Sequence, residues 1–430
     1  MNHFEARDGE LHCEDVPLSR IAQAVGTPAY VYSTATLIRH YTVFKAAFAP
    51  REVSVAYAVK ANSNLSVLAV LAGLGAGADT VSEGEIRRAL KAGIAGERII
   101  FSGVGKSRGE LQFALQAGVG QINVESEPEL DLLADVAASQ GARPRIAIRV
   151  NPDVGAGGHA KISTGKAESK FGVSLSEAAR LYARAAASPS LQPVGLASHI
   201  GSQIVDLEPL KATYATLRRL TEDLRGQGLR VERIDLGGGL GVPYFNQPDP
   251  PSPAALGAMA LQVFDGLDVE LATEPGRVIA ANAGVLLSRV IHVNARPEGR
   301  RFLVLDAAMN DLLRPAMYDA YHDIRPVKAP APDAPLLPYD VVGPVCETAD
   351  TFTRDRQLPE LKAGDLVAFM SAGAYGAVMS SEYNSRPLAP EVLVSGDRFA
   401  IVRPRPTYDE MLAREPLAPW LIGAGARTDP

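Results

Sequence analysis

Lys60 stands directly after an apolar run, Val53 to Val59, in the stretch YAVKAN. Such a run reads as a strand covered on both faces, and the lysine leaves the sheet where α/β proteins gather their reactive groups. An ordinary lysine is neutral at pH 7 in only about one molecule in 2,500, so as a nucleophile it must be desolvated or held as an imine. A strand-end lysine snorkelling its ammonium to water would look the same in this stretch. A second candidate is DLGGGLG, where Gly237, Gly238, Gly239 and Gly241 follow another apolar strand. Consecutive glycines let backbone amides close around an anion such as a phosphate, although a plain tight turn also selects them. TEPGR puts a carboxylate, Glu274, and a guanidinium, Arg277, at a third strand end, either as chemical partners or as a salt-bridged rim. SHIGSQ adds His199 and Ser202 at a fourth, where a lone histidine is more often packed than catalytic.

Literal motif matches are weak by comparison. Residues 155 to 160 fit G-x-G-x-x-A, but they follow Asn-Pro-Asp and open no helical pattern. GKS at 105 to 107 lacks the first glycine of a phosphate loop, because Ile100 stands there. The triple glycine fits the dinucleotide fingerprint in no register, which disfavours that fold. Without H-E-x-x-H, paired C-x-x-C or G-x-S-x-G, a zinc enzyme and an α/β serine hydrolase find no support, and no metal is expected. What remains is a lysine, a glycine cradle, a carboxylate and a stackable ring, all at strand C-terminal ends. One ligand uses that set: pyridoxal 5'-phosphate.

The elements that must position these residues are legible as alternating patterns. RIIFSG, QINV, RIAIRVNP, VGLASHIGS, VERIDLGGG and DVELATEPG are compact apolar runs, and helical stretches separate them. Ser82 with Glu85, Ser126 with Glu129 and Ser174 with Glu177 have capping-box spacing, while Gly93 and Gly141 stop two helices. Leu210, Tyr214, Leu217, Leu220 and Leu224 recur three and four apart, as an amphipathic helix requires. Strands at this frequency, each followed by a helix, favour an α/β fold of the (β/α)8 TIM-type barrel over an open sheet. After about residue 280 the pattern turns to strands with few helices, predicting a second, β-rich domain. The boundaries expected are 33–280 for the barrel and 1–32 with 281–430 for the β-rich domain. The proline-rich stretch 323–340 and NQPDPPSP read as loops.

Composition narrows the class. The chain has 430 residues, 47% hydrophobic and 21% charged, long enough for two domains and ordinary for a soluble enzyme. No stretch approaches the ~20 apolar residues of a membrane helix, and MNHFEARDGE shows no signal-peptide core, so no membrane partner is expected. Cys13 and Cys346 are too few for a disulfide scaffold and fit a reducing compartment, which makes the cytoplasm the expected location. A net charge of -6 without a basic run argues against nucleic acid as a partner.

Seven stretches in order, YAVKAN, SHIGSQ, DLGGGLG, TEPGR, DAAMNDLLRPAMY, GPVCETAD and GAYGAVMSSEYNSRP, resemble the diaminopimelate decarboxylase family over nearly the whole chain. The family belongs to the alanine-racemase-like class of pyridoxal phosphate enzymes and forms the last step of bacterial lysine biosynthesis. The resemblance implies a barrel joined to a β domain, an amino-acid substrate, and a homodimer with sites shared across the interface. It implies that Lys60 carries the cofactor, that Glu274 holds the ring nitrogen protonated, and that His199 stacks on the ring. Ser202, Gly239 and the turn Pro275, Gly276 and Arg277 match phosphate ligands. Asp79 and Arg149 match positions near the reacting lysine, and Tyr375 matches a tyrosine that reaches cofactor and substrate. Cys346 and Glu347 resemble the pair that a second subunit donates, the thiol returning a proton to the substrate. Arg277, Arg314 and Tyr318 fit a distal carboxylate, and Glu347 a distal ammonium. Related ornithine and arginine decarboxylases usually carry Cys-Asp where this chain has Cys-Glu.

Two stretches depart from the family's commoner form: the front half of the loop spanning 155–172, and Ala308 where glycine is frequent. Other readings on the same fold are a decarboxylase for ornithine, arginine or a carboxylated polyamine, and an amino-acid racemase, which needs a second base facing Lys60. A non-catalytic pyridoxal phosphate carrier is the reading from a different class. Such carriers tend to be a lone barrel, so the β domain argues against it.

Overall fold

A computed structural model describes residues 2–155, 164–166, 168–244, 248–331 and 333–422. Eight parallel strands close a barrel in sequence order: Val53–Ala58, Gly77–Thr80, Ile99–Phe101, Gln121–Val124, Arg145–Arg149, Gln192–Ala197, Arg233–Asp235 and Glu270–Thr273. The last strand pairs with the first, Leu271 opposite Val53 and Thr273 opposite Val55, which closes the ring. Along the first strand Val53, Val55 and Tyr57 join the large core shared with the helices, whereas Ala56 packs with Ile100 and Ala272 in a small separate cluster. That split is the two-residue period of a strand with both faces buried.

The strand before Lys60 ends one residue earlier than its apolar run suggests. Val59–Ala61 forms a single 3-10 turn, and this lifts Lys60 out of the sheet. The helix Glu208–Gly226 buries Leu210, Tyr214, Leu217, Leu220 and Leu224, as its spacing predicts. Ser174 and Glu177 make the reciprocal capping box. Ser82 and Ser126 cap their helices, but Glu85 and Glu129 accept from Val81 N and Glu125 N, one residue further back. Gly141 caps its helix at φ 63°, and Gly93, two residues beyond its helix, has φ 93°.

Beyond residue 283 the chain builds a nine-stranded sheet around the long strand Gly284–Ala295. That strand pairs antiparallel with Ala29–Ser33, which precedes the barrel, and with Leu366–Phe369. Glu391–Ser395 runs parallel to Ala29–Ser33, so segments from both sides of the barrel share one sheet. Two expected loops prove shorter. Within 323–340 both ends are strands, Ile324–Pro326 and the start of Leu336–Val342, because Pro326 and Pro338 fall where the ladder tolerates them. The last proline of NQPDPPSP opens the helix Pro253–Val263, capped by Ser252; residues 245–247 lie outside the described ones.

Candidate active site

The C-terminal ends of the barrel strands surround a cavity of about 410 Å³ lined by Lys60, Arg149, His199 and Glu274 among others. Lys60 Nζ lies 2.6 Å from Asp79 Oδ2, and Asp79, in the neighbouring strand, is fully buried. Burial alone would lower the lysine's pKa, but the carboxylates of Asp79 and Glu274 outweigh it, and the net direction is up. Lys60 is therefore an ammonium held in place by its counter-ion.

Glu274 follows the strand Glu270–Thr273 and is buried beside Asp235, the end residue of the adjacent strand. Burial first, then the neighbouring Asp235 and Asp79, push its carboxyl well above the usual range. Its Oε1 has no hydrogen-bond partner. His199 accepts from Gly238 N at Nδ1, 3.2 Å away, so the neutral ring carries its proton on Nε2. Burial, Lys60 and Arg149 all depress its pKa and keep it neutral. Arg149 donates to Glu125 Oε1 at 2.9 Å and lies over the Phe171 ring at 4.9 Å.

The glycine run owes its composition to close packing. A Cβ on Gly238 would lie 2.1 Å from Glu274 O, and one on Gly239, at φ 115°, would lie 2.6 Å from Gly201 O. Gly239 lies beside the turn that carries Ser202, whose Oγ accepts from Arg277 Nε at 3.2 Å and from its NH2 at 3.1 Å. Pro275 O accepts from Ala58 N, and a Cβ on Gly276 would meet Ala61 and Ala58 at 3.0 and 3.1 Å. Tyr375 sits at φ 56°, donates its amide to Ala61 O and lies 4.8 Å from the Arg277 guanidinium. The β domain is thereby tied to the Lys60 turn.

A second cluster adjoins the first. Arg277 and Arg314 are 5% and 6% exposed, and both pack on Tyr244, at 6.0 and 5.0 Å from its ring. Arg277 donates to Tyr244 Oη at 2.8 Å, and Arg314 lies 2.8 Å from His322 Nε2. Neither guanidinium has a carboxylate within ion-pair distance among the described residues. Tyr318, half-buried at the end of the short helix Arg314–Tyr318, is close enough to raise the Arg277 pKa.

Residues 34–281 match the family described as pyridoxal-dependent decarboxylase, pyridoxal binding domain. The diaminopimelate decarboxylase of Zymomonas mobilis is 49% identical over 97% of this chain and 99% of its own. That of Pseudomonas aeruginosa is 48% identical over 97% and 100%. The chain belongs to the diaminopimelate decarboxylase family. Crystal structures bearing that name agree in fold. The Helicobacter pylori enzyme complexed with L-lysine has a TM-score of 0.89 at 42% identity, covering 93% of this chain and 99% of that one. The M. jannaschii enzyme in co-complex with L-lysine has a TM-score of 0.92 at 34% identity, covering 98% and 100%.

The family's cofactor is pyridoxal phosphate, and the residues present fit it. Glu274 Oε1 is a buried acceptor without a donor, which a protonated ring nitrogen provides. Lys60 and His199 line the same cavity, Ser202 is hydrogen-bonded to Arg277, and Gly239 packs against Gly201, the residue before Ser202.

Cys346 and Glu347 are not brought to this cavity. Both are exposed, Cys346 N donating to Asn384 Oδ1 and Glu347 accepting from Tyr383 Oη at 2.9 Å. Their loop is fixed from beneath by Asp350, which accepts from Val345 N and Met309 N. The literal glycine match at 155–160 falls largely outside the described residues, which resume at Thr164.

Four residues of the site escaped the sequence reading. Glu125 and Asp235 stand at strand ends, as Lys60 and Glu274 do, and the same rule would have found them. Tyr244 and His322 lie in loops where no local pattern marks them.

Proposed function

We propose that the chain converts meso-2,6-diaminopimelate to L-lysine and carbon dioxide, acting in the cytoplasm as a homodimer in which two chains complete each site. The division into a barrel over 33–280 and a β-rich domain from 1–32 and 281–430 belongs to the same proposal. One observation carries the substrate: two buried guanidiniums flank Tyr244 with no paired carboxylate among the described residues. A substrate with a second carboxylate gives them their counter-ion, and one without it leaves them unpaired, at a cost of roughly 2 to 5 kcal/mol. L-Lysine retains that end of the substrate, and the Helicobacter pylori and M. jannaschii relatives are described as bound to L-lysine.

In this reading Lys60 would hold the cofactor through Nζ. Once bound, pyridoxal phosphate supplies the sink for the electron pair left when carbon dioxide departs. Glu274 accepts from the ring nitrogen, and His199, kept neutral, offers its ring face for stacking. Asp79 and Arg149 stand near the reacting lysine. Gly239, Ser202, Pro275, Gly276 and Arg277 take the phosphate end, with Tyr375 braced over Arg277. Cys346 of a second copy returns a proton to the carbon that lost carbon dioxide, and Glu347 of that copy pairs the distal ammonium; their exposure in one chain supports supply from another.

The test is carbon dioxide release by the protein with pyridoxal phosphate, comparing meso-diaminopimelate, its LL isomer, ornithine and arginine, with Lys60→Ala as control. Release from the meso compound alone, lost in the control, is expected. Release from ornithine or arginine would refute the assignment of Arg314 and Glu347. Mixing inactive Lys60→Ala and Cys346→Ala chains should restore about a quarter of the activity if sites are shared in a dimer. No restoration would refute the shared site.

A further inference from the structure

We infer that His322 is the residue that sets Arg314 for the substrate's distal carboxylate, acting as a neutral hydrogen-bond acceptor. The inference rests on the function proposed above and adds a residue to it. His322 is 4% exposed, and its ring is gripped at both nitrogens: Nδ1 lies 2.9 Å from Met370 O and Nε2 lies 2.8 Å from an Arg314 terminal nitrogen. A carbonyl oxygen can only accept, so Nδ1 carries the hydrogen. A guanidinium can only donate, so Nε2 presents its lone pair. The two contacts together fix one tautomer of the uncharged ring.

The surroundings enforce that state. Burial first, then the nearby charges of Arg314, Arg277 and Arg356, oppose a positive charge on the ring and push its pKa down to about 3. Arg356 donates to His322 O, and Met370 N donates to Asp323 O, so the backbone on either side of the ring is held as well. The Tyr244 ring meets the imidazole edge-on, 5.7 Å away at 80°. Arg314 therefore has Tyr244 beside it and one terminal nitrogen tied to His322, and among the described residues no carboxylate pairs it. A carboxylate in place of His322 would neutralise Arg314. An apolar side chain would let the guanidinium swing on its flexible stem. A neutral acceptor orients the cation without consuming its charge.

The test uses the holoenzyme and two inhibitors that differ by one carboxylate, L-lysine and 1,5-diaminopentane. His322→Phe keeps the ring's bulk but removes both nitrogens. It should weaken competitive inhibition by L-lysine about tenfold to a hundredfold, the range for losing a hydrogen bond to a charged group, and leave inhibition by the diamine within about twofold. His322→Gln, whose oxygen can accept from Arg314 while its nitrogen donates to Met370 O, should recover most of the loss. If His322→Phe does not assemble, His322→Asn, too short to span both partners, should show the same selective loss. Equal weakening of both inhibitors, or an unchanged L-lysine constant, would overturn the role of His322. If the unsubstituted enzyme prefers the diamine to L-lysine, the proposed function falls first, whatever the variants do.

Discussion

Replacing Asp79 with asparagine should make Lys60 a better nucleophile near neutral pH. Lys60 Nζ is 2.6 Å from Asp79 Oδ2, and its pKa is raised because the carboxylates of Asp79 and Glu274 outweigh the effect of burial. Only the neutral amine can bond to an aldehyde carbon, so the same ion pair that places the lysine also suppresses it. Asparagine keeps the shape and a hydrogen-bond acceptor but removes the charge. An opposite charge this close moves a titration by roughly one to three units, and Glu274 remains in the variant. With 36% of the lysine side chain exposed, solvent screens part of the effect. The neutral fraction at a fixed pH below the pKa should then rise about tenfold to a hundredfold.

The assay is the rate at which pyridoxal phosphate attaches covalently to cofactor-free enzyme, followed by absorbance as a function of pH. In the parent the rate should climb about tenfold per pH unit, because the neutral fraction does. In Asp79→Asn the whole profile should move to lower pH, with a rate near neutrality at least about tenfold higher. Asp79→Ala should show the same displacement with a lower plateau, since it also loses the acceptor that aims Nζ. A profile of unchanged pH dependence in both variants would refute the idea that Asp79 holds the proton on Lys60.

Glu85 offers a stability test, since burial, aided by the charge of Asp79 and opposed by the Val81 amide, Lys60 and Arg88, pushes its carboxyl up to about 7. The unfolded chain releases this proton near pH 4.5 while the fold keeps it to about 7, so stability falls across that window and the penalty, at most about 3 kcal/mol, is complete above it. Glu85→Gln should therefore unfold at higher denaturant than the parent at pH 8 and nearly together with it at the acid edge of the window; equal midpoints at both would contradict this sign. Glu125→Ala strands the buried Arg149 guanidinium and should cost about 3 to 5 kcal/mol in denaturant unfolding, whereas Glu125→Gln keeps an acceptor and should cost less. Gly239→Ala forces a Cβ to 2.6 Å from Gly201 O at φ 115°, so cofactor affinity measured by equilibrium titration should fall at least tenfold.

The barrel was readable because its signals are local. Each strand is a short apolar run, most helix starts carry a serine cap, and both depend on residues within a few positions of one another. The β-rich sheet was readable as a class but not as a topology. Its strand Ala29–Ser33 precedes the barrel and finds partners at 284–287 and 391–394, and no periodicity encodes a pairing across that distance. Pro326 and Pro338 misled for a related reason. A proline argues against a strand only where its nitrogen must donate, and which positions those are depends on the neighbour.

The active site divides along the same line. Lys60, His199 and Glu274 are found from sequence because the strand-end rule is itself local: whatever follows an apolar run in such a barrel faces the mouth, whereas Asp79 and Arg149 were named only through the family resemblance. The cluster of Arg277 and Arg314 around Tyr244 obeys no such rule. Tyr244, Arg277, Arg314 and His322 come from four separate segments, and only folding makes Tyr244 the wall between two cations and His322 the brace for one of them. A lone tyrosine and a lone histidine in loops carry no mark of that role, while Arg277 was read at a strand end and Arg314 was named only through the family's motifs. Cofactor chemistry is thus written into the repeated strand-to-loop junctions. The second cluster is built from long-range contacts between the barrel and the second domain, Tyr244 meeting both Arg277 and Arg314 and His322 meeting Arg314.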